Sequence, residues 1–107
     1  MTSQSSNLAC DLTAIAAEQR EDYQLNAQQL FETSLETREL PNGFAFRLPS
    51  ESAMIVKAAE FMALERLCCP FLNFVLEIEP DLGPLWLKLT GPEGVKQVLQ
   101  TELGLDA

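Results

Sequence analysis

The sequence predicts an α+β fold in which helices pack on a four-stranded antiparallel sheet made of two hairpins, in the order α-β-β-α-β-β-α. Two stretches of alternating apolar and polar residues are each divided by a turn that contains Pro and Gly. Three stretches with apolar residues at helical spacing lie before, between and after them. Strand pairs that are separated by helices favour an antiparallel sheet with helices packed against it.

The first third of the chain is predicted to form a helix and a hairpin. Thr13 is a candidate helix cap, and apolar residues recur on one face of a helix over about residues 13–32. Residues 33–40 have strand-like spacing, and residues 44–48 alternate in polarity. The turn between them is Pro-Asn-Gly, in which Asn-Gly is the commonest tight-hairpin pair. This hairpin is expected to keep one face in water.

A central helix is predicted next. It opens after Pro49 and carries an apolar band that is too wide for a surface helix. It must end by about Cys68, because Pro70 disfavours helical geometry in the residue before it.

A second hairpin and a last helix complete the predicted fold. Residues 72–79 and 85–90 alternate in polarity on either side of a Pro-Asp-Leu-Gly-Pro turn. Gly91-Pro92 starts a helix, since proline in the first turn needs no N–H, and Gly104 ends it.

Length and charge narrow the classes of function. A chain of 107 residues fits one domain, which we place at residues 8–107 after a disordered polar tail at residues 1–7. Seven Lys and Arg against sixteen Asp and Glu give a net charge of −9, which leaves no basic surface for nucleic acid. No segment approaches the length of a membrane span, and the polar N-terminus is not a signal peptide. We therefore expect a cytoplasmic protein with reduced cysteines.

The chain has no histidine, which excludes Ser-His-Asp and Cys-His catalysis and every histidine-containing metal site. The remaining chemistry is concentrated in residues 65–71, Glu-Arg-Leu-Cys-Cys-Pro-Phe. Cys68 and Cys69 lie at the predicted end of the central helix, where the helix dipole raises a thiol pKa and disfavours a nucleophilic thiolate. A soft metal ion is different, because it displaces the thiol proton. A disulfide between these two neighbours is disfavoured by ring strain.

Glu65 and the cysteines each leave two interpretations open. Glu65 lies one turn before Cys68 on the same side of the helix, where a carboxylate costs free energy unless it is solvated, paired or ligating. It is therefore either a solvated or paired group at the edge of the apolar stripe, or a metal ligand or a neighbour of ligating thiols. Cys68 and Cys69 are either ligands or small soft side chains that pack under the helix end. Cys10, before the first helix, has a spacing that says nothing about its partners.

Three segments of the chain together resemble a small bacterial family. They are Ala-Cys-Asp-Leu-Thr at residues 9–13, Glu-Arg-Leu-Cys-Cys-Pro-Phe-Leu-Asn-Phe at 65–74 and Gly-Pro-Leu-Trp-Leu-Lys-Leu at 83–89. Similar segments form stand-alone proteins and the C-terminus of some heavy-metal regulators of the mercury-resistance (MerR) type. The resemblance covers about residues 8–103. The DNA-binding helix-turn-helix of those regulators has no counterpart here, so their regulatory role is not transferred.

The resemblance implies that Cys10 belongs with Cys68 and Cys69. Three thiolates would suit a soft ion, with trigonal sulfur ligation fitting Hg(II), As(III) or Cu(I). Zn(II) would want a fourth ligand, from Glu65 or water, and sulfurs that share an ion must lie within about 4 Å of one another. We therefore predict a sensor-like or sequestering domain that binds a soft metal or metalloid ion. The alternative is a non-catalytic structural or protein-interaction domain with core cysteines, and a thiol enzyme is the least favoured class.

The outer face of the predicted sheet holds the remaining candidates. Glu77 and Glu79 lie two residues apart on one strand face, a pattern more typical of a solvated face than of acid–base catalysis. Trp86 and Val75 are predicted to share that side, which makes it a candidate homodimer surface. Residues 91–94 lack the glycine spacing and the lysine of a phosphate loop.

Overall fold

The computed structural model describes residues 8–105, so the predicted tail at residues 1–7 lies outside the described residues. The elements within that range are α1 (Ala17–Glu32), β1 (Glu36–Leu40), β2 (Gly43–Leu48), α2 (Ser52–Cys68), β3 (Asn73–Ile78), β4 (Leu85–Thr90) and α3 (Val95–Leu103). The four strands form one antiparallel sheet with the spatial order β1-β2-β4-β3. The predicted α+β fold and its element order are confirmed.

One face of the sheet and the three helices share a hydrophobic core. The inward side chains of the two central strands are almost fully buried: Phe44, Phe46, Leu48, Leu85, Leu87 and Leu89. The helices add Leu30 from α1, Met54, Ala58 and Phe61 from α2, and Val95 and Leu99 from α3. Removing this much apolar surface from water is the main favourable term in folding. In the described part of the chain, no helix combines the length and apolar character needed to cross a membrane.

The segment before α1 differs from the sequence prediction. Thr13 does not cap a helix that starts there, because Leu12–Ala14 form only a short 3-10 turn that is capped by Asp11. α1 begins at Ala17. Ile15 separates the two, and it is extended and fully buried. Burial of this one side chain in the core therefore overrides the helical periodicity.

The first hairpin turns within the predicted Pro41-Asn42-Gly43 segment, but Asn-Gly is not the central pair of the turn. Leu40 pairs with Gly43, so the two-residue loop is Pro41-Asn42 rather than Asn42-Gly43. Neither loop residue has a positive φ, and the fixed φ of proline suits such a turn. Gly43 belongs to β2, where a Cβ would collide with the backbone of Leu89 on β4. The packing of the two strands, and not the turn, is therefore what requires the glycine.

The outer sheet face holds Trp86 opposite Glu77, as predicted. Trp86 is nevertheless only 7% exposed. The Arg38 guanidinium lies 4.5 Å from its ring centroid, and Glu36 forms ion pairs with both Arg38 and Arg47. Charged side chains of the chain itself thus cover the aromatic ring that motivated the homodimer prediction, and the homodimer stays a prediction.

Candidate metal centre

The end of α2 and the segment before α1 meet at the three cysteines. Cys68 is the last residue of α2, and Cys69 leaves helical geometry, as Pro70 predicts. The Asp11 N–H donates a hydrogen bond to the Cys68 carbonyl at 2.8 Å. This bond satisfies one of the carbonyls that a helix C-terminus leaves free, and it holds Cys10 beside Cys68.

The three sulfur atoms lie within 4.8 Å of one another. The clustering of Cys10 with Cys68 and Cys69, which the family resemblance implied, is therefore confirmed. The expectation that all three are reduced is wrong for this structure, because Cys10 and Cys69 form a disulfide while Cys68 is a free thiol. The Cα atoms of the bonded pair are 4.6 Å apart, which is within the range that a disulfide spans. Adjacent Cys68 and Cys69 are not bonded to each other, as predicted.

Burial supports both interpretations of the thiols. Cys68 and Cys69 are 3% and 1% exposed and belong to the hydrophobic core, which fits their interpretation as small side chains that pack under the helix end. Cys10 is half-buried. An open cleft of about 820 Å³ is lined by Cys10 and Cys68, so two of the three sulfur-bearing side chains face a space that a small solute can enter.

Glu65 is a buried charged residue beside the thiols, with 1% of its surface exposed. Tyr23 of α1 donates its hydroxyl hydrogen to Glu65 Oε1. Among the described residues, no Lys or Arg forms an ion pair with Glu65, so neither solvation nor pairing with a basic side chain accounts for this group. The metal-ligand cluster of the described residues contains the three cysteines without Glu65. Its position is that of a neighbour to the thiols, and a direct ligand role stays a prediction.

Burial shifts the proton affinities of these groups in one direction. It raises the pKa of the Glu65 carboxyl, against the effect of the Tyr23 hydrogen bond and with a contribution from Glu102. It also raises the pKa of the Cys68 thiol, and the charges of Glu65 and Glu102 add to this. The pKa of the Tyr23 hydroxyl is raised by burial and by Glu65. The direction for Cys68 matches the sequence prediction, but burial and carboxylates cause it rather than the helix dipole alone.

The cleft has acidic groups and apolar walls. Its carboxyl groups come from Glu32, Glu65 and Glu102, and no Lys or Arg is among the residues that line it. The apolar walls are Leu12, Ala27, Phe31, Leu103 and Leu105. An acidic cleft of this kind favours a cation or a neutral solute over an anion.

Sequence reasoning missed two residues of this site, Tyr23 and Glu102. Tyr23 is the one tyrosine of the chain, on the apolar face of the first predicted helix, where it looked like a core residue. Glu102 belongs to α3, the last element. The packing of the helices brings both residues beside Glu65, and no local sequence pattern predicts a contact between such distant residues.

The fold and the site together define a small α+β domain with a thiol and disulfide cluster at an acidic cleft. Comparison with known proteins finds no family model, no curated protein and no solved structure that matches the chain. The family resemblance therefore stays a prediction.

Proposed function

We propose that the reduced protein binds a soft metal or metalloid ion through Cys10, Cys68 and Cys69, as a sequestering or sensor-like domain. The observation that carries this proposal is the approach of three sulfur atoms to within 4.8 Å, from two segments that are far apart in the chain. Thiolates select soft ions, and a chain without histidine offers only sulfur and oxygen ligands. The open cleft supplies a path for the ion.

The proposed binding belongs to the reduced state. A disulfide removes two of the three sulfurs as thiolate ligands, so the Cys10–Cys69 bond must open before the ion can bind. The Cys10 and Cys69 sulfurs, which are bonded to each other in this structure, must then separate to the spacing of about 4 Å that ligands of one ion keep, while the Cys68 sulfur already lies within 4.8 Å of both. Reduced thiols are the normal state in the cytoplasm, which is the compartment we predict for this protein.

Titration of the fully reduced protein tests this function. Under anaerobic conditions we expect one ion per chain, with thiol-to-metal absorbance, when Hg(II), As(III), Cu(I) or Zn(II) is added separately. Serine in place of Cys10, Cys68 or Cys69 should strongly weaken binding, because each change removes one of the three thiolate ligands that a soft ion prefers.

The oxidised wild-type protein is the matched control for this titration, because it has the same sequence and fold but only one free thiol. Thiol labelling with and without the ion gives an independent count of the sulfurs involved. A reduced protein that is folded, by circular dichroism, and binds none of the four ions would contradict the proposal.

One observation favours a second function, which is purely structural. The Cys10–Cys69 disulfide joins residues 59 positions apart and ties the N-terminal segment to the end of α2. In this case the cysteines would stabilise a protein-interaction domain, and reduction would lower stability without creating an ion site. Titration of the reduced protein separates the two functions, since only the ion-binding domain binds an ion after reduction.

A further inference from the structure

We infer that the species the reduced site selects is a trivalent metalloid presented as a neutral trihydroxide, such as arsenous acid, which the three thiols bind as a neutral complex. This inference rests on the proposed function and names its substrate class. The juxtaposition that carries it is a set of three sulfurs beside a cleft that has carboxyl groups and no basic side chain.

The number of ligands favours a trivalent metalloid. The cluster of metal-ligating groups in the described residues consists of Cys10, Cys68 and Cys69. Zinc in structural sites takes four ligands, and histidine, a common fourth, is absent from the chain. A trivalent metalloid completes its coordination with three sulfurs, because its lone pair occupies the remaining direction. Glu65, whose Oε1 accepts the Tyr23 hydrogen bond, is then not needed as a ligand.

The charge of the complex also favours a trivalent centre. Three thiolates around a trivalent centre give a neutral complex, whereas a divalent ion leaves one negative charge and Cu(I) leaves two. The cleft already holds Glu32, Glu65 and Glu102 without Lys or Arg, and the sulfurs lie at the negative end of the α2 dipole. A buried negative charge without a partner is costly. The surroundings therefore favour the neutral complex over the anionic ones.

Binding of the metalloid to the three thiols needs no co-reactant. One molecule of As(OH)3 reacts with three thiols: three As–O bonds break, three As–S bonds form, and each thiol proton leaves with a hydroxide as water. No atom changes its oxidation state and no net proton is released. A divalent ion that bound the same three thiols would instead displace their three protons and leave an anionic complex in the acidic cleft. The apolar walls of the cleft also suit an uncharged solute.

Charge variants of the cleft test the inference. The probes are Zn(II) and sodium arsenite, which is As(OH)3 at neutral pH. Each is titrated calorimetrically into reduced protein. The titration is repeated in two buffers of different ionisation enthalpy, which counts the protons released on binding. Wild type should bind arsenite with three thiols protected and no proton released. Glu102→Lys should strengthen Zn(II) binding by about tenfold, because it reverses a nearby charge, and leave arsenite binding unchanged within about twofold.

The matched control is Glu51→Lys, which makes the same charge change at the opposite end of α2 from Cys68. It should alter neither affinity. Binding of Zn(II) or Hg(II) without binding of arsenite would overturn the inference and leave the proposed function standing. Arsenite binding that protects only two thiols, or an equal response of arsenite and Zn(II) to Glu102→Lys, would overturn it as well. A folded reduced protein that binds no ion would instead contradict the proposed function itself.

Discussion

At the scale of single residues, the pairing of Glu65 with Tyr23 is the most unusual feature of the molecule. A carboxyl group that is 1% exposed has a neutral phenol as its hydrogen-bond partner, although the surface of the chain carries several ion pairs. A neutral partner leaves most of the cost of burial in place, which is why the pKa of Glu65 stays raised. The free thiol of Cys68 shares this environment, and its pKa is raised for the same main reason.

We predict that Glu65→Gln changes how stability depends on pH. A carboxyl whose pKa is raised in the folded state binds its proton more tightly there than in the unfolded chain. Its favourable contribution is complete below its ordinary pKa and is lost as pH rises through the raised value. The variant should match wild type near pH 4 and exceed it by about 1 kcal/mol in free energy of unfolding at pH 8.

Urea unfolding at several pH values, followed by circular dichroism, measures this difference. Glu60→Gln is the control, because Glu60 is exposed on the same helix. Its free energy of unfolding gives the effect of exchanging a carboxyl for an amide at an exposed position of the same helix. Parallel curves for Glu65→Gln and wild type would show that burial does not shift the pKa of the Glu65 carboxyl.

At the scale of elements, the contact between β2 and β4 joins the two hairpins into one sheet. We predict that Gly43→Ala lowers the free energy of unfolding by about 1–3 kcal/mol, because the added Cβ forces the two strands apart at Leu89. Chemical denaturation measures the change. Thr37→Ala, on the exposed part of β1, should remain within about 0.5 kcal/mol of wild type. A Gly43→Ala protein as stable as wild type would mean that the strands have room for the side chain.

The sequence predicted the ends of the helices more accurately than their starts. α2 ends at Cys68, and Gly104 with a φ of 66° caps α3 after Leu103; both helices stop as predicted, because Pro70 and the glycine act locally. The start of α1 was wrong, because the burial of Ile15 is a tertiary event that helical spacing cannot report. Propensity and periodicity decide element type, and packing decides where an element begins.

At the scale of the whole molecule, the Cys10–Cys69 disulfide connects the N-terminal segment to the core. We predict that reduction of this bond lowers the free energy of unfolding by about 2–4 kcal/mol, because a cross-link between residues 59 positions apart restricts the unfolded chain. Thermal unfolding with and without reductant measures the loss. Cys10→Ser is the control, since its stability should not respond to reductant. A wild-type stability that is equally indifferent would mean that the bond does not form in solution.

The sequence by itself determined the element types, the α+β class and the inventory of chemical groups. Alternation and helical spacing are local patterns. They therefore predict strands at residues 44–48 and 85–90 without knowledge of the rest of the fold. Composition is also sufficient to exclude histidine chemistry and to leave sulfur and oxygen as the only ligands.

Only the tertiary structure decided the strand order, the cover over Trp86 and the anatomy of the site. Cys10 meets Cys69, and Tyr23 meets Glu65, across separations of 59 and 42 residues. Such contacts depend on how whole elements pack against one another, and a pattern within one element carries no information about them. The inventory of groups is therefore a property of the sequence, whereas their distances, bonds and proton affinities arise only when the core has formed.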